Sequence, residues 1–223
     1  LGSVYARTSH YDKALEVLKS AVGLGISGNN NVLLADAYLE MGIVYVRRQH
    51  LDSARAVLNK SLSLELGKSK DEKNALVFNM LGNVAKEENK FEDALAHYIR
   101  ATEVFEKIHN LEGLTQSLSN IGNIQYLLGD YDKALKYGNQ CLDIAMRLKK
   151  QTSIAYANRL LGRIYRRQKK FPEALSSYKK ALAIYELRGE RREAAETLSN
   201  IGNIFFELEE YSNANKHYSQ SIH

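Results

Sequence analysis

The chain of 223 residues has one cysteine, one proline and no tryptophan, and each shortage excludes something. A lone Cys141 cannot staple a fold by a disulfide, and such sparse use fits a reducing compartment. A single proline, Pro172, leaves almost no position at which a helix is forced to break. No apolar run approaches the roughly 18 residues that a spanning helix needs, so no membrane partner is expected. The opening residues carry no secretory signal pattern, which with the cysteine usage gives a cytoplasmic reading. Leu1 and His223 both fall inside helical patterns, and the chain reads as a fragment of a longer protein.

Against these absences stands a strict internal period. Leu1-Gly2, Met41-Gly42, Leu81-Gly82, Ile121-Gly122, Leu161-Gly162 and Ile201-Gly202 recur every 40 residues without insertion. Val4, Val44, Val84, Ile124, Ile164 and Ile204 keep the same register. So do Tyr11, Leu51, Phe91, Tyr131, Phe171 and Tyr211, each followed three residues later by alanine (Ala14, Ala54, Ala94, Ala134, Ala174, Ala214). A period of this length marks a repeat array built from one supersecondary unit. Apolar residues within each unit recur at three- and four-residue steps, the pattern of helices packed on one broad face.

The cleanest unit supplies Leu161, Gly162, Tyr165, Phe171, Ala174, Tyr178 and Ala181. At that spacing it resembles the tetratricopeptide repeat, a pair of antiparallel helices. The resemblance covers the whole chain in six registered copies. Two departures stand out. The usual repeat has about 34 residues, and the proline that ends its second helix is replaced here by Ile26, Leu66, Glu106, Met146 and Glu186. The longer period is similar to that of kinesin light chains, Pins-type adaptors and bacterial sensor and regulator proteins.

The resemblance implies an all-α, right-handed superhelical solenoid of eleven helices plus a stub, forming one domain over 1–223. Its repeats run 1–30 (partial), 31–70, 71–110, 111–150, 151–190 and 191–223. First helices are predicted at 32–48, 72–88, 112–128, 152–168 and 191–208, second helices at 51–66, 91–107, 131–148, 171–187 and 211–222. Residues 1–9 read as the tail of the first helix of repeat one, with its second helix over 11–22. Gly23 to Asn31 holds three glycines and three asparagines; glycine costs roughly 1 kcal/mol against alanine in a helix, so a loose connection or hinge is expected there. Gly138 occupies a slot filled elsewhere by Leu18, Leu58, Tyr98, Tyr178 and Tyr218. Either Tyr137 swings over to fill the gap, or a local pocket is left.

Catalytic signatures are missing: no Walker loop, nucleophile elbow, HExxH or paired-cysteine pattern occurs. His10 and His50 share one repeat position and His97 and His217 another, so their placement follows the lattice rather than a metal. No enzymatic activity, cofactor or metal is expected.

The surface is more informative. In arrays of the family it resembles, the first helix lines a concave groove that binds an extended peptide or a partner helix. By register the groove positions include Asn79, Asn83, Asn120, Asn123, Tyr126, Tyr156, Arg159, Arg163, Arg166, Arg167, Asn200 and Asn203. An asparagine amide both donates and accepts, so a ladder of them can read a ligand backbone; alternatively, the repeated SNIGN at 119–123 and 199–203 is only inherited lattice. Charge is sharper. From Arg147 to Lys170 there are nine Lys or Arg and no Asp or Glu, leaving 22 basic against 26 acidic residues elsewhere. The net positive charge is therefore local to repeat five, and a local charge speaks to a partner.

These features together imply a non-catalytic module that binds a protein or peptide, with an acidic or carboxylate-bearing element at the Arg-rich repeat; the same face could instead be merely solvated. The alternative is a ligand-sensing input domain of a bacterial sensor kinase or transcription regulator. Nucleic acid is not an expected partner, because base-reading motifs are missing and most of the remaining surface is acidic.

Overall fold

The computed structural model describes residues 10–64 and 72–222. Eleven helices lie among them: α1 Tyr11–Ser27, α2 Asn31–Arg47, α3 Leu51–Leu64, α4 Glu72–Glu87, α5 Phe91–Lys107 and α6 Leu111–Leu127, then α7 Tyr131–Arg147, α8 Gln151–Arg167, α9 Phe171–Arg188, α10 Arg191–Glu207 and α11 Tyr211–Ile222. The described residues hold no strand. The expected helix over 1–9 and the end of the helix at 51–66 fall outside them.

A 20-residue rhythm underlies the 40-residue lattice. Helices α2, α6, α7, α8 and α10 each have 17 residues; three-residue turns follow α1, α2, α4 to α8 and α10, and a two-residue turn follows α9. Each turn has a left-handed residue at the same step: Asn29, Gln49, Asn89, His109, Gly129, Lys149, Lys169, Gly189 and Glu209. The bonds repeat too. At the first helix of repeat two, His50 N–H donates to Tyr45 O at 2.9 Å and Gln49 N–H to Val46 O at 3.0 Å, the Schellman closure of a helix end. Only two of the nine left-handed residues are glycine, although a side chain there costs on the order of 1–2 kcal/mol. The closing bonds and the packing of successive helices offset that cost. This turn does the work of the absent proline.

The Gly/Asn run behaves differently from expectation. Helix α1 continues through Gly23 and Gly25 to Ser27 rather than loosening after residue 22. Gly25 is buried against α2, where a Cβ would stand 2.7 Å from Leu34 Cγ. Packing thus overrides the low helix propensity of glycine. The asparagines make the turn: Asn29 takes the left-handed conformation, and the Asn30 side chain accepts from Leu33 N–H at 3.0 Å to cap α2.

The helices group into two compact parts, residues 1–117 and 118–223. In the first, Ala14, Leu15 and Leu18 pack with Met41, Val44 and Val57. A second cluster joins Leu39, Ala54 and Leu58 to Val77, Leu81 and Val84, so each helix pair is cemented to the next. In the second part Ala174 and Tyr178 pack with Ile201 and Ile204. The lattice alanines from Ala14 to Ala214 are at most 1% exposed, and Val44, Val84, Ile124, Ile164 and Ile204 are fully buried. Those positions recur because helices cross there without room for change.

The glycine of each Leu-Gly pair is a seat for the next helix. A Cβ on Gly82 would meet the Tyr98 ring at 2.5 Å, one on Gly162 the Tyr178 ring at 2.8 Å, and one on Gly202 the Tyr218 ring at 2.6 Å. Repeat four breaks this scheme because Gly138 replaces the aromatic. The vacancy is closed mainly from α8: a Cβ at Gly138 would lie 2.9 Å from Leu161 Cδ2, and one at Gly122 would lie 3.1 Å from Leu160 Cδ2. The nearest atom of Tyr137 to that point at Gly122 is its Cβ, at 3.5 Å. Leucines of the following repeat are thus the side chains nearest to both glycines.

Candidate functional site

Helix α8 carries Arg159, Arg163, Arg166 and Arg167, and its neighbours on one face are α6 and α10. Steps of three and four residues alone put most of these arginines on one stripe. Their contacts divide them. Arg159 Nη1 donates to Glu196 Oε2 at 2.5 Å and Arg166 Nη1 to Glu207 Oε1 at 3.0 Å, both toward α10. Arg163 and Arg167 turn toward α6. The Arg163 guanidinium stands 4.4 Å from the centroid of the Tyr126 ring and donates to Asn123 Oδ1 at 3.2 Å. Arg167 Nε donates to the Tyr126 hydroxyl at 3.1 Å.

The four arginines therefore do not depend on one carboxylate. Glu207 takes a second arginine, and the Tyr126 ring and hydroxyl take the other two. Glu207 lies 41 residues beyond Arg166. A search for opposite charges one lattice step apart would have found it, since Arg48–Asp12 and Lys73–Asp36 pair at nearly the same separation.

Electrostatics follow from this arrangement. Burial alone would push the Tyr126 phenol up. The hydrogen bond from Arg167, with the charges of Arg163 and Arg167, outweighs it and holds the phenol below its ordinary value. Tyr156 accepts from Asn123 Nδ2 at 2.9 Å, and its ring centroid lies 5.5 Å from the Arg159 guanidinium. Between α8 and α10 lies an open depression of about 350 Å³, lined by Arg159, Arg163, Glu196, Ser199 and Asn200. Glu196 is shared there, because Arg192 Nε also donates to it at 3.2 Å.

The asparagines do not form a uniform ladder. Asn79 is fully enclosed, and neither of its amide heavy atoms has a partner. Asn83 and Asn203 are each engaged by the tyrosine of their own helix pair: Tyr98 Oη donates to Asn83 Oδ1 at 2.7 Å, and Tyr218 Oη to Asn203 Oδ1 at 2.8 Å. The Asn200 amide donates to the Glu196 main-chain oxygen at 2.8 Å, and Asn120 is partly exposed. For Asn83 and Asn203 the register reflects a lock between the two helices of a repeat. A tyrosine 15 residues after an asparagine was the signal for it.

Tyr178 escapes the register-based reading altogether because it sits on the second helix. Its ring lies on Gly162 as Tyr98 and Tyr218 lie on Gly82 and Gly202. Residue 163, however, is arginine where the other two repeats have asparagine. The Tyr178 hydroxyl is buried without a hydrogen-bond partner, as is Arg166 Nε. Burial pushes the phenol up, against the nearby charges of Arg166, Arg163 and Arg159, so it stays a proton donor.

Among the described residues no three His, Cys, Asp or Glu side chains could hold a metal ion, and no helix is long and apolar enough to cross a membrane.

Paired helices at a constant step, with glycine seats and buried alanines, define an all-α repeat solenoid. The chain belongs to the tetratricopeptide-repeat family, whose model matches residues 74–147 and 153–222. Among curated proteins, the Tonsoku-like protein of Drosophila melanogaster is 30% identical over 91 residues, 41% of this chain and 6% of that protein. The chain thus spans a small part of that relative's length.

Three solved structures show the same fold. BtubC of P. vanneervenii has a TM-score of 0.79 at 14% identity over 95% of this chain and 89% of that one. A signal-transduction ATPase with a tetratricopeptide-repeat sensor, from Pyrococcus horikoshii, has a TM-score of 0.82 at 18% identity over 96% and 33%. A Rap protein complexed with competence and sporulation factor has a TM-score of 0.71 at 17% identity over 99% and 72%. Such arrays are generally non-catalytic scaffolds for protein interaction.

Proposed function

We propose that this chain is a protein-interaction module whose first-helix face binds an extended peptide or partner helix, with an acidic segment of that partner seated at repeat five. The depression bounded by Arg159, Arg163, Ser199, Asn200 and Glu196 carries the reading. Arg159 has only one of its five N–H groups on Glu196, and a guanidinium can hold a further carboxylate with two parallel bonds. Tyr126 supports the reading as well. By stacking under Arg163 it fixes that guanidinium in place, which lowers the ordering cost of binding. Glu196 and Glu207 are internal competitors that an acidic partner displaces or shares.

The test uses a fluorescent ten-residue peptide of alternating serine and glutamate, with a glutamine counterpart. Anisotropy should show binding of the glutamate peptide alone, weakening with salt. The Arg159→Ala/Arg163→Ala double variant should bind at least about tenfold more weakly, because charged hydrogen bonds contribute about 1.5–3 kcal/mol each. Equal affinity for the two peptides, or an unaffected double variant with intact circular dichroism, would contradict the proposal.

A further inference from the structure

The geometry points to a carboxylate subsite in repeat five, built from the Tyr178 hydroxyl, Arg166 Nε and the Arg163 guanidinium. This inference rests on the acidic-partner reading and specifies where one acidic side chain ends. Its basis is a lattice exchange. In repeats three and six the tyrosine seated on glycine has an acceptor one residue beyond that glycine: Tyr98 reaches Asn83 and Tyr218 reaches Asn203. In repeat five the tyrosine keeps its seat, with the Cβ position of Gly162 2.8 Å from the Tyr178 ring. The acceptor, however, has become Arg163, which has donors only. Tyr178 is fully buried and its hydroxyl has no partner. Arg166 Nε, also buried, is a second donor without an acceptor.

Such groups are costly to leave unmade, since an unsatisfied buried donor forfeits its solvation. All three are donors, and two lack any acceptor. What the cluster lacks is oxygen. A neutral amide could satisfy one donor; a carboxylate, with two oxygens and about four lone-pair sites, can satisfy the set and balance the arginine charge. Arg163 forms one wall of the open depression. Its present hold on Asn123 is a single bond at 3.2 Å, plus the Tyr126 ring. An acidic side chain entering from the depression displaces that one bond and passes beneath the guanidinium. Repeat four explains why Asn123 is free to hold Arg163 meanwhile: with Gly138 in the tyrosine slot, no tyrosine of its own pair engages it.

The experiment compares Tyr178→Phe with the wild-type chain, using the serine–glutamate peptide and its glutamine counterpart. Tyr178→Phe removes one hydroxyl and leaves the ring on Gly162. It should weaken glutamate-peptide binding about tenfold, the loss of one charge-assisted bond, without lowering the melting temperature. Arg163→Asn restores the acceptor found in repeats three and six, and should abolish the preference for glutamate over glutamine while the fold melts no lower. If Tyr178→Phe binds at wild-type affinity while Arg159→Ala/Arg163→Ala does not, the subsite is wrong and the acidic-partner reading stands. If the wild-type chain makes no distinction between the two peptides, both are overturned.

Discussion

Arg163 donates to Asn123 across 3.2 Å, in the place where Asn83 and Asn203 instead accept from the tyrosines of their own helix pairs. Two neighbouring departures from the lattice, Gly138 in repeat four and Arg163 in repeat five, are therefore joined. One frees an asparagine, the other orphans a tyrosine, and the freed asparagine holds the arginine that did it. The consequences differ from repeat to repeat in ways that can be measured.

The tyrosines are the first such case. Tyr98→Phe removes a satisfied bond to Asn83 and should cost about 1 kcal/mol. Tyr178→Phe removes a hydroxyl that has no partner and should cost nothing or stabilise slightly. Thermal unfolding of the two variants distinguishes them, and equal losses would contradict the asymmetry.

Glycine substitutions should also separate. A Cβ on Gly162 stands 2.8 Å from the Tyr178 ring, and a ring held on both sides has little room to retreat. Gly162→Ala should cost on the order of 1–3 kcal/mol by overpacking. Gly23 lies within α1 with nothing within 4 Å of its Cβ position. Gly23→Ala should therefore stabilise by about 0.5–1 kcal/mol through lowered backbone entropy. Denaturant unfolding measures both, and a destabilised Gly23→Ala would mean that the end of α1 is not helical.

Cys141 offers a prediction in pH. It is 1% exposed, and burial pushes its thiol up to about 11 against a hydrogen bond with Ser119. At pH 8 the folded chain should react with a disulfide reagent far more slowly than the unfolded chain. Between the ordinary thiol range and about 11 the unfolded state gives up its proton first. The contribution of Cys141 to stability is thus complete below that range and is lost as pH rises through it. Cys141→Ser should show a shallower alkaline decline; an unchanged slope would contradict this.

The Glu196 carboxylate is predicted to restrain binding. It is half-exposed and holds both Arg159 and Arg192, so its pairs contribute at most about 1 kcal/mol to stability. Glu196→Gln should leave the melting temperature within a few degrees of wild type and tighten glutamate-peptide binding several-fold. Weaker binding by that variant would show that Glu196 orients Arg159 rather than competing for it.

The lattice was legible because it is written in residues that helix crossings cannot do without: the buried alanines and the glycines on which tyrosines or leucines sit. Helix ends were also legible to within one or two residues, except where Gly23 and Gly25 suggested a break. There propensity lost to the contact of Gly25 with Leu34. The nine left-handed turns were not legible, since seven of them carry ordinary side chains and only the closing bonds show why the helix stops. At the candidate site, register brought the arginines to the side of α8 that meets α6 and α10. It could not show that Asn79 is enclosed, that Asn83 and Asn203 are locked by tyrosines, or that Glu207 reaches Arg166. Each depends on where a side chain of a neighbouring helix ends, which spacing along one helix does not encode.

The central claim, that repeat five receives an acidic partner through its arginines, is tested most directly by side-chain nuclear magnetic resonance. The arginine Nε–Hε signals would be assigned by single Arg→Lys variants and followed while the serine–glutamate peptide is added. Saturable shifts are expected at Arg159, Arg163 and Arg166, none with the glutamine peptide, and their loss in Arg159→Ala/Arg163→Ala. Shifts confined to arginines elsewhere, such as Arg100 or Arg191, or no shift at saturating peptide, would contradict it.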